Sequence, residues 1–259
     1  MHRIIKSHLD SFVENFSLNA KEEAEQFEMF AAYSVIASRF NCSIDLDDIV
    51  TSKNDDGIDA IAILIDESVV SSLEEAKDIF ESHRRTHDVE IIFIQAKTSE
   101  TFNLGDFLKF KDGVLRFTED NSNYTPEDEV LSCSHQIFQT ILQNAPKIRD
   151  GKPSITTLYI TTGTYKAPKE IERASDEFSK KIVDLGLFKD IKCKFIGRDD
   201  LTKLWVNTYS EIDASITLLG SAPLPEISGI DQAYLAVVKA KDLVSNLLTT
   251  PEGNLRTQV

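Results

Sequence analysis

Polar residues in places where a strand should be apolar carry the chemical signal of this sequence. In Ile91-Ile-Phe-Ile-Gln-Ala-Lys97, Gln95 and Lys97 stand two apart, so an extended strand points both to one face. Burying an ammonium without a partner costs several kcal/mol, so a lysine ending such a run needs a reason. Asp59 brings a second charge into a buried run, Asp59-Ala-Ile-Ala-Ile-Leu-Ile-Asp66. If the two strands pair, a carboxylate, an amide oxygen and an ammonium converge at the edge of a sheet. Mg²⁺ takes hard oxygen ligands, and Asp59, the Gln95 amide oxygen and the Ala96 backbone carbonyl would supply three, with phosphate and water completing the shell. Such a site suits phosphodiester hydrolysis. The metal would polarise the phosphate and acidify the attacking water, while Lys97 would orient that water or stabilise charge on the phosphate.

The elements that must position these residues follow from periodicity. Apolar residues at helical intervals predict helices over 2–17 and 21–40, the second closed by Asn41. Ile44–Val50 reads as a first strand, Lys53-Asn-Asp-Asp-Gly57 as a turn, and 59–66 as a strand covered on both faces. A helix from Ser72 to about His83, a strand over 89–98, and helices over 104–117 and 129–147 come next. Then follow a strand (155–162), a helix (168–185), a strand (191–196), a short helix (199–205) and a last strand (212–219). Strands joined by helices predict an α/β fold, a mixed sheet flanked by helices, whose coarse order is helix, three strands, helices, strand, helix, strand. After Gly220 the character changes: Ala222-Pro-Leu-Pro225 reads as a linker and Gln232–Leu248 as an amphipathic helix, in a chain that looks cut rather than finished. The expected organisation is one domain over 1–220, with its core at about 20–200, and a linker and helix over 221–259.

Composition sets limits. The 259 residues carry 43 acidic against 28 basic side chains, a net charge of −15, which counts against gripping nucleic acid by electrostatics alone. Acid runs such as Asp45-Leu-Asp-Asp48 and Pro126-Glu-Asp-Glu129 are expected to face solvent, and a bound divalent ion inverts the local sign. No long apolar run spans a membrane and the start lacks a secretory signal. Three scattered cysteines (Cys42, Cys133, Cys193) argue against a disulfide framework and fit a reducing cytoplasm.

Gly57-Ile-Asp59 followed by Gln95-Ala-Lys97 resembles the Mrr-like variant of the PD-(D/E)XK restriction-endonuclease superfamily, in which Gln replaces the usual acid before x-Lys. Phe27-Glu28 on the preceding helix resembles the helix-borne acid of that variant, which implies Glu28 as a further metal ligand, directly or through water. A narrower likeness spans Asp56-Gly-Ile-Asp-Ala-Ile-Ala62, Phe93-Ile-Gln-Ala-Lys-Thr-Ser-Glu-Thr-Phe102, Gly105 and Phe110-Lys-Asp-Gly113. With Gly229, Tyr234 and Gly253-Asn-Leu-Arg256, these resemble the amino-terminal nuclease domain of abortive-infection phage-resistance (AIPR) proteins. The resemblance implies a restriction-endonuclease-like core of helix, three strands, helix and strand. It also implies a cytoplasmic, bacterial, Mg²⁺-dependent endonuclease in which Mn²⁺ substitutes, acting on nucleic acid (DNA favoured over RNA) in antiphage defence. Control would come from a downstream region or a partner protein, and a homodimer would offer two active sites to a duplex. The long gap between Asp59 and Gln95, filled by the 72–85 helix, departs from compact members.

Plainer readings stand beside these. Asp59 can cap the Asp-Asp-Gly turn, Lys97 can snorkel to solvent, and Glu28 can lie on a solvated helix face. Thr98, Ser99 and Thr101 either donate to a phosphate near the site or satisfy the strand end. Asp55 and Asp56 read as turn residues, and Trp205 as core. His83 and His87, four apart, lack the acid of a His-Glu-x-x-His site. Cys133-Ser-His135 offers adjacency rather than the geometry of nucleophilic catalysis. The rival from another class is a catalytically silent nuclease fold that serves as a nucleic-acid or protein interaction and assembly platform.

Overall fold

In the computed structural model, residues 1–40, 44–52, 56–82, 86–119, 124–209, 215–224 and 233–249 are described. Asn41, His83, Asp55, Gly229 and Gly253-Asn-Leu-Arg256 lie outside them. The chain forms two compact units, Met1–Thr208 and Tyr209–Val259.

The first unit opens with α1 (Arg3–Asn15) and α2 (Glu23–Ala37). It continues with β1 (Ala60–Ile65), the short β2 (Ser68–Val69), α3 (Leu73–Glu81) and β3 (Val89–Lys97). After α4 (Leu104–Thr118) and α5 (Glu129–Gln143) come β4 (Ser154–Thr161), α6 (Lys169–Leu185), β5 (Ile191–Ile196) and α7 (Arg198–Asn207). The five strands make one mixed sheet in the order β2-β1-β3-β4-β5. β1 is antiparallel to β2 and β3, whereas β3–β4 and β4–β5 are parallel. Antiparallel neighbours need only a turn, and the parallel pairs need the helical crossovers the chain supplies.

Both faces are covered, which is why β1 has six consecutive buried residues. Ile61, Ile63, Ile65, Ile91 and Phe93 enter one core with Phe80, Phe107, Phe110, Phe138 and Phe178 from α3 to α6. The alternate residues Ala60, Ala62, Ile92, Ile94 and Ala96 face Leu9, Phe12, Phe27, Phe30 and Trp205 from α1, α2 and α7. The alanines on that face leave room for α2 to lie close. Trp205, read as core, is buried and within 6.2 Å (ring centres) of Phe12, Phe30 and Tyr33.

Several expectations are corrected. Ile44–Val50 is not a strand: Leu46–Asp48 is a 3₁₀ turn capped by the Asp45 carboxylate, and only Val50 bridges to Ala60. Two adjacent aspartates break the alternation a strand needs, and the side chain of Asp45 offers the backbone a turn instead. The helix expected to run to 147 stops at Gln143, and Pro146 sits in a separate 3₁₀ turn, Ala145–Lys147. Asp128, read as solvent-facing, is buried. Its carboxylate caps α5 at Leu131 N and accepts from Ser52 N at 2.6 Å.

The second unit holds β6 (Leu218–Pro223) and β7 (Tyr234–Val238), an antiparallel pair with an irregularity between Leu218 and Gly220. The strand expected to end the main sheet thus belongs to this hairpin, and the linker reading of Ala222-Pro223 gives way to a strand. The helix expected over 232–248 is β7, one turn of α8 (Ala240–Asp242) and a π-helical turn, Leu243–Leu248. Tyr-Leu-Ala-Val-Val is β-branched and aromatic, and over so short a window that preference outweighs helical periodicity. Among the described residues no helix is long and apolar enough to cross a membrane.

Candidate active site

The turn before Asp59 is built to aim it. Asp56 and Gly57 both take positive φ (52° and 84°), a conformation open to Gly and tolerated by Asp. The backbone of that turn is packed against α4. A Cβ added to Gly113 would lie 2.3 Å from the Asp56 carbonyl oxygen, so only glycine allows this approach. Arg116, one helical turn on, pairs with Asp56 at 2.9 Å. From the other side, Thr51 Oγ1 donates to Ile58 O at 2.6 Å and Thr51 N–H to Asp59 O at 3.1 Å. The chain then enters β1, with Asp59 N–H donating to Ile94 O at 2.9 Å.

The register that pairs Ala60 with Ile94 sets Asp59 beside Gln95. The Asp59 side chain is 1% exposed and accepts hydrogen bonds from two consecutive residues of β3. Ala96 N–H donates to Oδ2 at 2.7 Å, and the Lys97 ammonium donates to Oδ1 at 3.1 Å and Oδ2 at 3.0 Å. Charge-assisted bonds of this kind are what a buried carboxylate needs in order to stay ionised. Lys97 keeps 33% of its side chain in solvent. Gln95 is 1% exposed, and its Oε1 is buried with no hydrogen-bond partner.

Asp59 and Lys97 line a cavity of about 400 Å³ together with Thr51, Ser52 and Glu22, Ala24, Glu25 and Glu28 of the α2 end. Pairing of the two strands brings Asp59 and Lys97 to one cavity, and α2 adds Glu28 to its wall. Gln95 adjoins Asp59 in register but is not among the cavity's walls. Sequence reasoning missed Thr51, Ser52, Glu22 and Glu25. A signal for the glutamates existed, since 22, 25 and 28 recur every three residues and so follow one stripe of the helix.

Other candidates fall elsewhere. Thr98 O and Ser99 O both accept from Thr162 Oγ1, and Ser99 Oγ donates to Thr101 O, so this stretch is tied to the end of β4 outside the cavity. His87 is buried against Asp66, Nδ1 to Oδ2 2.7 Å, at the opposite end of the β1–β3 pair. Cys133 Sγ donates to Ser71 O at 3.3 Å, and burial pushes its thiol pKa up. His135 pairs with Gln139, and burial pushes its pKa down. A protonated thiol directed at a carbonyl does not make a nucleophile–base pair.

The donor set fits a hard divalent cation in kind. Asp59 and Glu28 offer carboxylate oxygens, and the orphaned Gln95 Oε1 is a buried acceptor without a donor, a costly state in the absence of a ligand. Among the described residues no group of three or more His, Cys, Asp or Glu is placed to hold a metal, so an amide or backbone oxygen would have to complete such a shell. Comparison with family models, with curated proteins and with solved structures finds no match for this chain.

Proposed function

We propose that this chain is a metal-dependent nuclease of restriction-endonuclease-like fold that hydrolyses phosphodiester bonds, of DNA in preference to RNA. The observation that carries the reading is a buried Asp59 paired with a part-exposed Lys97, opening on a cavity, beside a buried amide oxygen that has no donor. A shell of Asp59, Gln95 Oε1, the Ala96 carbonyl and Glu28 would hold Mg²⁺ or Mn²⁺. When bound, the ion supplies Lewis acidity toward a phosphate and lowers the pKa of a coordinated water. The chain's own contributions are distinct. Asp59 and the turn behind it fix the anionic oxygens, Ala96 N–H orients that carboxylate, and Lys97 provides an ammonium within reach of the cavity for a water or a phosphate oxygen. The AIPR resemblance extends the proposal to bacterial antiphage defence by abortive infection, under control of a further region or partner. A symmetric dimer would present two sites to a duplex.

The second reading, a silent interaction and assembly platform, draws on the cavity wall itself. Glu22, Glu25 and Glu28 oppose a polyanion, and a cationic partner suits them better.

The deciding experiment incubates the chain with plasmid DNA and with RNA, in Mg²⁺, in Mn²⁺ and in EDTA, beside Asp59→Ala and Lys97→Ala. Cleavage that needs metal and disappears in both variants is the expected result. Folded wild-type protein that cleaves neither substrate and binds no metal through Asp59 would sink the nuclease reading and leave the platform.

A further inference from the structure

The Lys97 ammonium lies 3.1 Å and 3.0 Å from the two Asp59 oxygens, across the fork of the carboxylate, while Ala96 N–H flanks Oδ2. A cation approaching Asp59 from the cavity meets the same fork. The two partners differ in freedom. Asp59 is sealed at 1% exposure and held by backbone bonds on both sides. Lys97 is one-third exposed on a flexible four-carbon stem and lines the cavity into which it can swing. The anion is therefore the fixed part of the pair and the cation the movable one.

We infer that Lys97 is the built-in counterion of the site, and that the ammonium and a divalent metal compete for one carboxylate. This rests on the metal-centre reading above and adds its control. Without metal, Lys97 keeps the buried charge of Asp59 compensated and the fold intact. Asp59 becomes available to a divalent ion only in the fraction of molecules whose ammonium has let go, and apparent metal affinity is reduced by that fraction. Because the competitor is tethered to the neighbouring strand, dilution does not remove it. Release places the ammonium in the cavity, where the proposed chemistry needs it, so emptying the carboxylate and delivering the lysine are one movement.

The inference predicts that deleting the lysine tightens metal binding. Mn²⁺ binding to the full chain is measured by electron paramagnetic resonance of free Mn²⁺ for wild type, Lys97→Met, Lys97→Arg, Asp59→Asn and the Asp59→Asn/Lys97→Met double variant. Lys97→Met is expected to bind Mn²⁺ at least tenfold more tightly than wild type, Lys97→Arg no more tightly, and both variants lacking Asp59 should lose the site. Mn²⁺ should also raise the unfolding midpoint of Lys97→Met by more than that of wild type, because it replaces the missing counterion. If Lys97→Met does not fold without metal, Lys97→Gln, which keeps a donor but no charge, gives the same readout. Equal or weaker binding by these variants, with binding still dependent on Asp59, overturns the competition and leaves the metal centre standing. Absence of any Asp59-dependent binding in wild type and Lys97 variants alike overturns the metal centre, and the competition with it.

Discussion

The β1–β3 pair carries a paired carboxylate at each end, Asp59 buried at 1% exposure and Asp66 partly buried at 20%, and the two ends are built alike up to a point. At one end Asp59 accepts from the Ala96 N–H and from the Lys97 ammonium. At the other, Asp66 accepts from Asp88 N–H at 3.0 Å and pairs with His87. Each end borders a cavity, the second of about 450 Å³ and lined by Asp66, Glu67, Asp88 and Glu90 among others. Two acids of the second end, Glu90 and Asp88, are matched by cations that come from outside the β1–β3 pair. Arg39 grips both oxygens of Glu90 at 3.1 and 2.8 Å, Thr156 donates to Glu90, and Arg149 and Lys189 pair with Asp88. Its unpartnered atom, His87 Nε2, is buried near the edge-on Phe80 ring; like Gln95 Oε1 it is not among the walls of its cavity, but it belongs to a ring that already bonds the acid through Nδ1. Asp66 itself takes φ 53° in the tight turn to β2, a structural task. At the Asp59 end the leftover atom is an oxygen of the kind a metal takes, beside a carboxylate that reaches the cavity. A buried ion pair alone does not mark a site; a buried pair with a spare ligand and a space does.

Breaking each pair should separate the two ends, and the largest effect belongs to Lys97. Lys97→Met strands a carboxylate that is 1% exposed, and should cost about 3 kcal/mol, the low end for breaking a buried pair because the ammonium is partly in solvent. Asp59→Asn should cost less, since an amide can still accept from Ala96 N–H and a solvated lysine remains. The double variant should be more stable than Lys97→Met alone. Urea unfolding of the four proteins in EDTA checks the order. A Lys97→Met cost equal to that of an exposed lysine would mean that the buried Asp59 charge does not depend on Lys97.

What could be read in advance follows the same division. Gln95 and Lys97 were legible because an amide and a charge interrupt a run of Ile and Phe, and a period of two places them on one face. Asp59 was legible by the same rule. The helices α4 and α6 carry strong amphipathic patterns and emerge within a residue or so of expectation. Gly113 could be read only by resemblance, yet its reason is steric: α4 must pass within contact of the Asp56 carbonyl. Long-range pairings were not legible. Nothing local tells that Asp128 reaches Ser52 across 76 residues of chain, and a Glu-Asp-Glu run is on average a solvated one. Leu46-Asp-Asp48 and Tyr234–Val238 failed for a local reason, since short windows satisfy two periodicities at once and the side-chain cap or β-branching decides.

A middle-sized effect tests the other end. The Asp66 side chain is 20% exposed and its partner His87 2%, so Asp66→Asn should cost about 1–2 kcal/mol, the scale of a hydrogen bond weakened on a partly buried group. Nuclease activity and Mn²⁺ affinity should stay at the wild-type level. Loss of Asp59-dependent Mn²⁺ binding in a folded Asp66→Asn protein would mean that the two ends of the β1–β3 pair are coupled and not independent.

The smallest effect on stability should come from the residue that matters most to the contrast. Gln95 Oε1 has no donor, so replacing the side chain removes no bond at that atom and ends the burial of an unsatisfied acceptor. Gln95→Leu keeps the volume close and matches the apolar surroundings of a strand whose neighbours Ile91 and Phe93 are fully buried. Its unfolding free energy in EDTA should fall within about 1 kcal/mol of wild type, which is unusual for a polar-to-apolar exchange in a covered strand. Mn²⁺ affinity should drop, because an oxygen ligand is gone while Asp59 and Lys97 are untouched. Denaturant melts and Mn²⁺ titrations on one preparation give both numbers. Large destabilisation with unchanged metal binding would assign Gln95 to the fold, and would erase the difference between an end of the sheet that is complete and one that awaits a ligand.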